Sequence, residues 1–174
     1  MSERRVVITG VGVISSLGQN ALQFWDRLSQ GISAIGPIGS VDCSRLRFRN
    51  GAEVKGFNPA DHFDEDQSRV LDRFAQFGIV AAREAVKSAG LEWSPRLCAR
   101  TGVITGSALG GQGTEDESFA ELYLRGAPRL HPLSIPRIMA NAANSNAKTI
   151  YNVLQAYAQE NDQIFPESES DSNF

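Results

Sequence analysis

Glycines that follow short apolar runs are the residues whose type and spacing most clearly suggest a chemical role. Gly10-Val11-Gly12 comes directly after Val6-Val7-Ile8-Thr9, and a second glycine-rich loop runs from Gly106 to Gly113. Glycines in such places let the backbone approach a phosphate, as in dinucleotide-binding proteins and P-loop proteins. The first run has Ser15 in place of the third motif glycine, which favours a tight strand exit without a ligand. The second lacks the Gly-Lys-Ser/Thr ending of a P-loop, so either close packing or a narrow pocket would explain it.

Nucleophiles and metal ligands are few. Cys43 and Cys98 have neither the spacing of a metal site nor that of a disulfide framework, so both are expected to be inert thiols. His131 lies between prolines and His62 lies in a polar loop, which favours packing or solvated roles. The acidic run Asp64-Glu65-Asp66 is interpreted as the negative start of a helix, not as a metal site. The residue types alone therefore predict no catalytic residue and no metal.

Composition limits the function classes further. The chain has 174 residues, of which 41% are hydrophobic and 21% charged, as in soluble globular proteins. A net charge of −3 argues against a nucleic-acid binder. No apolar run approaches the roughly 20 residues of a membrane span, and the N-terminus does not resemble a signal peptide. We therefore expect a cytoplasmic protein that binds neither nucleic acid nor a membrane.

Alternating strands and helices must position these residues. The apolar patterns predict strands over residues 5–14, 53–57 and 101–107, and helices over residues 20–30, 67–89, 114–125 and from about 137. In the third helix Phe119, Leu122 and Tyr123 are expected to face inward. The strand–helix–strand order predicts an α/β fold with a largely parallel sheet.

The C-terminal end differs in charge from the rest of the chain. All Lys and Arg residues lie at or before Lys148, and five acidic residues follow it. A change of this kind indicates a boundary. Residues 149–158 are predicted to form a short helix, and residues 167–173 are predicted to be disordered.

Five blocks of sequence, in order, resemble the β-ketoacyl-[acyl-carrier-protein] synthases, in particular the type that elongates acyl chains. The blocks are residues 5–12 with Leu17-Gly18, residues 31–35, residues 72–82, residues 101–107 with Gly110-Gly111, and residues 132–136 with 139–142. The resemblance implies a thiolase-like, layered α-β-α-β-α fold, of which the chain has only the N-terminal half, incomplete. It divides the chain into a synthase region, residues 1–145, and a non-matching tail, residues 146–174.

The same resemblance implies a decarboxylative Claisen condensation of acyl groups with malonyl-carrier protein, in fatty acid or polyketide synthesis. The family's nucleophilic cysteine is expected shortly beyond the position of Ser145, where this sequence departs from the family and has no cysteine. The family's catalytic histidines belong to the other half, and His131 matches neither of them. We therefore expect no catalytic residue, no cofactor and no activity of the chain alone.

Five residues match positions with family roles. Leu109 matches the side chain that lines the acyl-chain pocket, and Leu133 and Ile135 lie in the segment that the partner subunit contributes to that pocket. Arg69 and Arg129 match basic residues that face the acidic carrier protein. Ordinary core packing would explain the three apolar residues equally well, and exposed arginines are often only solvated.

Three hypotheses follow. The first is the N-terminal fragment of a synthase, with acyl carrier protein and acyl or malonyl thioesters as the family's partners. The second is an inactive dimerisation or interaction module, either a homodimer or paired with a complete synthase. The third, a nucleotide-binding oxidoreductase domain, depends only on the imperfect glycine pattern and ranks last.

Overall fold

Helices form most of the regular structure. A computed structural model describes residues 5–91, 94–98, 100–140 and 142. The α-helices are α1 (Ala21–Ser29), α2 (Glu65–Val70), α3 (Arg73–Ala89), α4 (Pro95–Cys98), α5 (Gln112–Phe119) and α6 (Ser134–Ile138). A 3₁₀ helix spans Pro59–Asp61, and a π-helix, Ala120–Leu124, continues α5. The sheet of the described residues is a short antiparallel pair, β1 (Gly36–Pro37) with β2 (Asn50–Gly51).

The first helix agrees with the sequence prediction. The side-chain oxygen of Asn20 accepts a hydrogen bond from the Gln23 N–H at 2.9 Å, which caps the N-terminus of α1. Gly31, with φ of 68°, lies just beyond the C-terminus in the left-handed conformation that glycine favours. The apolar stripe of the helix is uncovered, since Leu22 is 84% exposed and Trp25 is 67% exposed.

The single helix predicted over residues 67–89 is two helices. Leu71 is extended between α2 and α3, and the Asp72 side chain starts α3 by accepting the N–H of Phe74. The apolar pattern does not show this break, because Leu71 is buried in the core in spite of its extended backbone. Gly90 ends α3 with φ of 57°, as predicted.

The acidic run before α2 has the predicted helix-starting role. Asp64 forms a capping box with Gln67, and Glu65 and Asp66 lie in the first turn of the helix.

The hydrophobic core lies between α3 and the loop that precedes α2. Its buried members are Phe57, Phe63, Leu71, Ala75 and Ile79. His62, predicted to be a solvated loop residue, is half-buried and stacks on the Phe57 ring at 5.2 Å between centroids. The Arg83 guanidinium lies over the Phe63 ring and donates a hydrogen bond to the His62 carbonyl at 2.7 Å. Burial lowers the pKa of Arg83 below its ordinary value.

The three predicted strands are not hydrogen-bonded strands in this structure. Residues 5–14, 53–57 and 101–107 have no strand partner within the described part of the chain. The side chains of Val6, Ile8 and Ile104 are 94%, 87% and 97% exposed, so the prediction of buried strands in a parallel sheet is wrong here. Such strands need a neighbour on each edge and cover on each face, and the described residues supply neither.

The third predicted helix faces the core with different residues. Phe119 is 50% exposed and Tyr123 is 73% exposed, Leu122 is half-buried, and Thr114 and Ser118 are buried. The inward positions belong to these hydroxyl residues because they hydrogen-bond to neighbouring elements. The last helix starts at Ser134, earlier than predicted. The predicted tail helix, the disordered end and the boundary at residue 145 lie outside the described residues.

Candidate functional site

A groove of about 850 Å³ with a mixed polar and apolar lining lies beside the N-terminus of α3. The helices α5 and α6 and the connection of residues 129–133 form its other walls. The lining residues on which the following paragraphs depend are Asp72, Arg73, Thr114, Glu117, Arg129 and Arg137. The groove has the volume of a ligand site and a polar lining that could select the ligand.

A chain of buried polar side chains holds the groove walls together. The Asp72 carboxylate accepts hydrogen bonds from the Thr114 N–H at 3.0 Å and from the Thr114 hydroxyl at 2.5 Å. The Ser118 hydroxyl bonds the Thr114 carbonyl at 2.7 Å and lies 3.4 Å from the Ser134 hydroxyl. These hydrogen-bonded side chains connect the start of α3 to α5, and α5 to α6. The sequence pattern did not predict these contacts, although an Asp followed by a helical run was a signal for the cap.

Most charges of the groove already have partners. Arg125 pairs with Glu117, at 2.6 Å, and with Glu121. The hydrogen bond with Glu117 makes the largest contribution and the one with Glu121 the next, and together they raise the pKa of Arg125 above its ordinary value. Arg73 donates to the Val54 carbonyl at 2.9 Å. Two arginines, Arg129 and Arg137, make no side-chain hydrogen bond or ion pair with the described residues.

The two arginines that match carrier-protein contacts lie in different surroundings. Arg129 is exposed and lines the groove. Arg69 lies outside the lining on α2 and pairs with Asp66 at 3.7 Å, with both side chains largely exposed. Arg129 is therefore the freer of the two cations for a partner.

The three residues that match the acyl pocket lie on two segments in contact. Gly110 has φ of 65°, and a Cβ atom there would overlap the Ile138 carbonyl of α6. This close approach brings the loop that carries Leu109 against the helix that carries Ile135. Leu109 and Ile135 are 66% and 72% exposed, and Leu133 is half-buried. Their role in an acyl pocket stays a prediction.

The second glycine-rich loop thus packs closely against protein backbone. A Cβ atom at Gly111 would overlap the carbonyl of Arg137, as one at Gly110 would that of Ile138. Of the two explanations left open by the sequence, close packing accounts for both of these glycines.

The glycines of the first run, Gly10 and Gly12, also permit close packing against backbone. A Cβ atom at Gly10 would overlap the Ala85 carbonyl, and one at Gly12 would overlap the Ala81 carbonyl. The segment is held on α3 by Glu84, whose two carboxylate oxygens accept the Val13 and Ala21 N–H groups, each at 2.8 Å. Helix α3 fills the space beside both glycines, which supports the interpretation without a ligand.

Other candidate chemistry is sparse in the described part of the chain. Both cysteines are free, and Cys98 is the last residue of α4, so it has no helix N-terminus to activate it. The described residues contain no group of three or more His, Cys, Asp or Glu that could hold a metal ion. Among them, no helix is both long and apolar enough to cross a bilayer.

Curated proteins similar to this chain include 3-oxoacyl-[acyl-carrier-protein] synthases. The 3-oxoacyl-[acyl-carrier-protein] synthase 2 of Staphylococcus aureus (strain COL) is 36% identical over 140 residues, which are 80% of this chain and 34% of that protein. The synthase of the same name from Coxiella burnetii (strain RSA 493 / Nine Mile phase I) is 35% identical over 153 residues, 88% of this chain and 37% of that protein. The chain thus spans about a third of the length of these relatives.

Solved structures show the same fold. The ishigamide ketosynthase/chain length factor matches with a TM-score of 0.67 and 28% identity, over 82% of this chain and 36% of that chain. A β-ketoacyl synthase from Burkholderia phymatum STM815 matches with a TM-score of 0.66 and 22% identity, over 87% and 37%. A third match is a type II polyketide acyl-carrier protein in complex with its ketosynthase, with a TM-score of 0.64 and 21% identity, over 84% and 39%. The chain therefore has the expected thiolase-like α/β fold. It corresponds to the N-terminal half of that fold, and to only part of that half.

A family model leads to the same conclusion. The model described as "Beta-ketoacyl synthase, N-terminal domain" matches residues 3–153, most of the chain. These residues include the glycine run on α3, the buried polar chain and the groove. The chain belongs to the β-ketoacyl synthase family.

Proposed function

We propose that this chain supplies the N-terminal part of a 3-oxoacyl-[acyl-carrier-protein] synthase. The synthase would condense acyl groups with malonyl-carrier protein, with loss of carbon dioxide, in fatty acid or polyketide synthesis. The family match and the curated relatives support the proposal. The alternative of an inactive interaction module gains no support from these relatives, which are named as synthases.

One structural observation carries the substrate side of the proposal. The Gly110-Gly111 turn lies so close to α6 that Leu109 and Ile135 are on contacting segments, with their apolar side chains uncovered. Together with Leu133, these side chains would line one wall of the acyl-chain pocket. An acyl chain, or a second subunit that completes the pocket, would remove this apolar surface from water, which is favourable.

The residues present would bind and position substrates, and would not perform the covalent step. In the family a cysteine accepts the acyl chain and histidines assist decarboxylation of malonyl-carrier protein. Cys43, Cys98 and His131 do not match those positions. We propose that Arg129 and Arg69 attract the acidic carrier protein, that the synthase is dimeric, and that it acts in the cytoplasm.

A chimeric synthase tests the proposal for activity. Residues 4–145 of this chain would replace the matching segment of the Staphylococcus aureus synthase, which retains its own cysteine and histidines. We expect condensation of an acyl thioester with malonyl-carrier protein, and a loss of long-chain turnover when Leu109→Glu is added. A chimera that folds as a dimer and decarboxylates nothing would contradict the proposal.

The full 174-residue chain needs two further measurements. Binding of acyl carrier protein by calorimetry is expected, and co-purification with a complete synthase would support the proposed dimer. Calorimetric binding of a dinucleotide would instead revive the oxidoreductase hypothesis.

A further inference from the structure

Two arginines of the groove have no side-chain partner among the described residues. The carboxylates of the groove are engaged, because Asp72 is hydrogen-bonded to Thr114 and Glu117 and Glu121 are both bound by Arg125. Arg129 and Arg137, by contrast, make no side-chain hydrogen bond or ion pair with the described residues.

Arg137 is the more unusual of these two residues. Its Nε atom is buried and has no hydrogen-bond partner among the described residues. A buried donor without a partner is unfavourable, and a charged one more so, which is why nearly all such groups in folded proteins are satisfied. A ligand in the groove would offset part of this cost by binding the remaining N–H groups of the same guanidinium.

A second arginine lines the same groove. Arg129 is exposed, and its side chain makes no hydrogen bond or ion pair with the described residues. Guanidinium groups present parallel N–H donors whose spacing matches the oxygens of carboxylates and phosphates. Two unpaired guanidinium groups in one cavity therefore favour an oxyanion over a neutral ligand.

We propose that Arg129 and Arg137 form an oxyanion site that binds the phosphate or carboxylate group of a small molecule in this groove. The cavity volume of about 850 Å³ exceeds that of a single ion, so the rest of the molecule has room beside the anionic group. None of the three proposed acyl-wall residues lines the groove, and the site does not depend on the condensing activity. It shares Arg129 with the proposed carrier-protein contact.

Titration of the isotopically labelled full chain tests the proposal by NMR. Inorganic phosphate and succinate are the two probes, each added at constant ionic strength against sodium chloride. We expect saturable shifts of the Arg137 Nε–Hε signal and of the residue 129–137 amides. Stronger binding of phosphate would identify a phosphate ester as the ligand, and stronger binding of succinate a carboxylate.

Three variants make the test specific. Arg129→Gln and Arg137→Gln are each expected to weaken binding about tenfold or more, since each loses a charge-assisted contact. Arg69→Gln is the matched control and should leave the affinity unchanged, because Arg69 lies outside the groove and pairs with Asp66. If Arg137→Gln does not fold, the affinity of Arg129→Gln still tests the proposal, because Arg129 is exposed and its replacement should not affect folding. Equal affinity of Arg129→Gln and the wild type, or the same shifts with chloride alone, would overturn the proposal.

Discussion

The carboxylate of Asp72 accepts two hydrogen bonds from Thr114, one from the backbone N–H at 3.0 Å and one from the hydroxyl at 2.5 Å. Both residues are buried, and the same carboxylate caps α3 through the Phe74 N–H. One side chain therefore fixes both the start of α3 and the position of α5 against it. The Ser118 hydroxyl bonds both the Thr114 carbonyl and the Ser134 hydroxyl, so the Asp72–Thr114 pair is also connected to α6.

Asp72→Ala is expected to lower the free energy of unfolding by about 3 kcal/mol, because it removes charge-assisted hydrogen bonds and leaves buried donors unpaired. Thr114→Val removes only the hydroxyl bond and is expected to cost about 1–2 kcal/mol. Urea denaturation measures both. Asp66→Asn, which alters an exposed carboxylate on α2, serves as the control with a change below about 0.5 kcal/mol. A similar effect of Asp66→Asn and Asp72→Ala would contradict the structural role of the buried pair.

Gly12→Ala is expected to destabilise the chain by about 1–3 kcal/mol or more, because the added methyl group would overlap the Ala81 carbonyl of α3. The matched control is Gly102→Ala, since a Cβ atom at Gly102 has no neighbour within 4 Å. This control should change stability by less than about 1 kcal/mol in either direction, because the added methyl group meets no neighbour and alanine reduces the freedom of the unfolded chain. Thermal unfolding of the two variants, compared with the wild type, distinguishes close packing from a general effect of replacing glycine.

Local signals in the sequence predicted the helix ends well. Asn20, Gly31 and Gly90 are found at the predicted helix boundaries, because a cap depends on neighbours within a few residues. Asp64 caps α2 somewhat before the start predicted at residue 67. The break at Leu71 was missed because burial continues through it. The apolar pattern reports which residues are buried and does not report the backbone conformation between them.

The sequence pattern does not show which segments pair with each other over long distances in sequence. Val6, Ile8 and Ile104 have strand-like composition, but a strand also needs hydrogen-bonding neighbours, which the pattern does not identify. The groove was missed for a related reason. Asp72 and Thr114 are distant in sequence, and nothing in either local segment indicates that a carboxylate and a hydroxyl meet there.

Glu84→Ala is expected to lower the free energy of unfolding by about 2–4 kcal/mol, because two backbone N–H groups, those of Val13 and Ala21, lose a charged acceptor. Hydrogen exchange of these two amides should become much faster than in the wild type. Lys87→Ala is a control on the same helix, at an exposed position, and should leave both exchange rates unchanged. Protection of the Val13 and Ala21 amides in Glu84→Ala would show that the carboxylate does not hold this segment.

The loop that contains Glu53 is expected to loosen in acid. Hydrogen bonds from Ser40 and from the Gly39 backbone hold the pKa of Glu53 below its ordinary value of 4.5. The folded-state pKa is the lower one, so these bonds stabilise the loop above pH 4.5 and are lost as the pH falls through the folded value. The amide signals of Gly39 and Ser40 should titrate together with the Glu53 carboxyl carbon in NMR spectra. Glu53→Gln should abolish this titration, and its persistence would assign it to another carboxylate.

Charge reversal at Arg129 is expected to weaken binding of acyl carrier protein more than charge reversal at Arg69. Arg129 is exposed and unpaired among the described residues, whereas Arg69 must first give up its contact with Asp66. At about 0.1 M salt we expect Arg129→Glu to lower the affinity about tenfold, with a smaller loss for Arg69→Glu, and both losses should shrink at higher ionic strength. Lys87→Glu, an exposed change far along α3, controls for net charge. Equal losses for all three variants would mean that the carrier protein responds to the overall charge of the chain. A loss confined to Arg129→Glu would place the contact at the mouth of the groove.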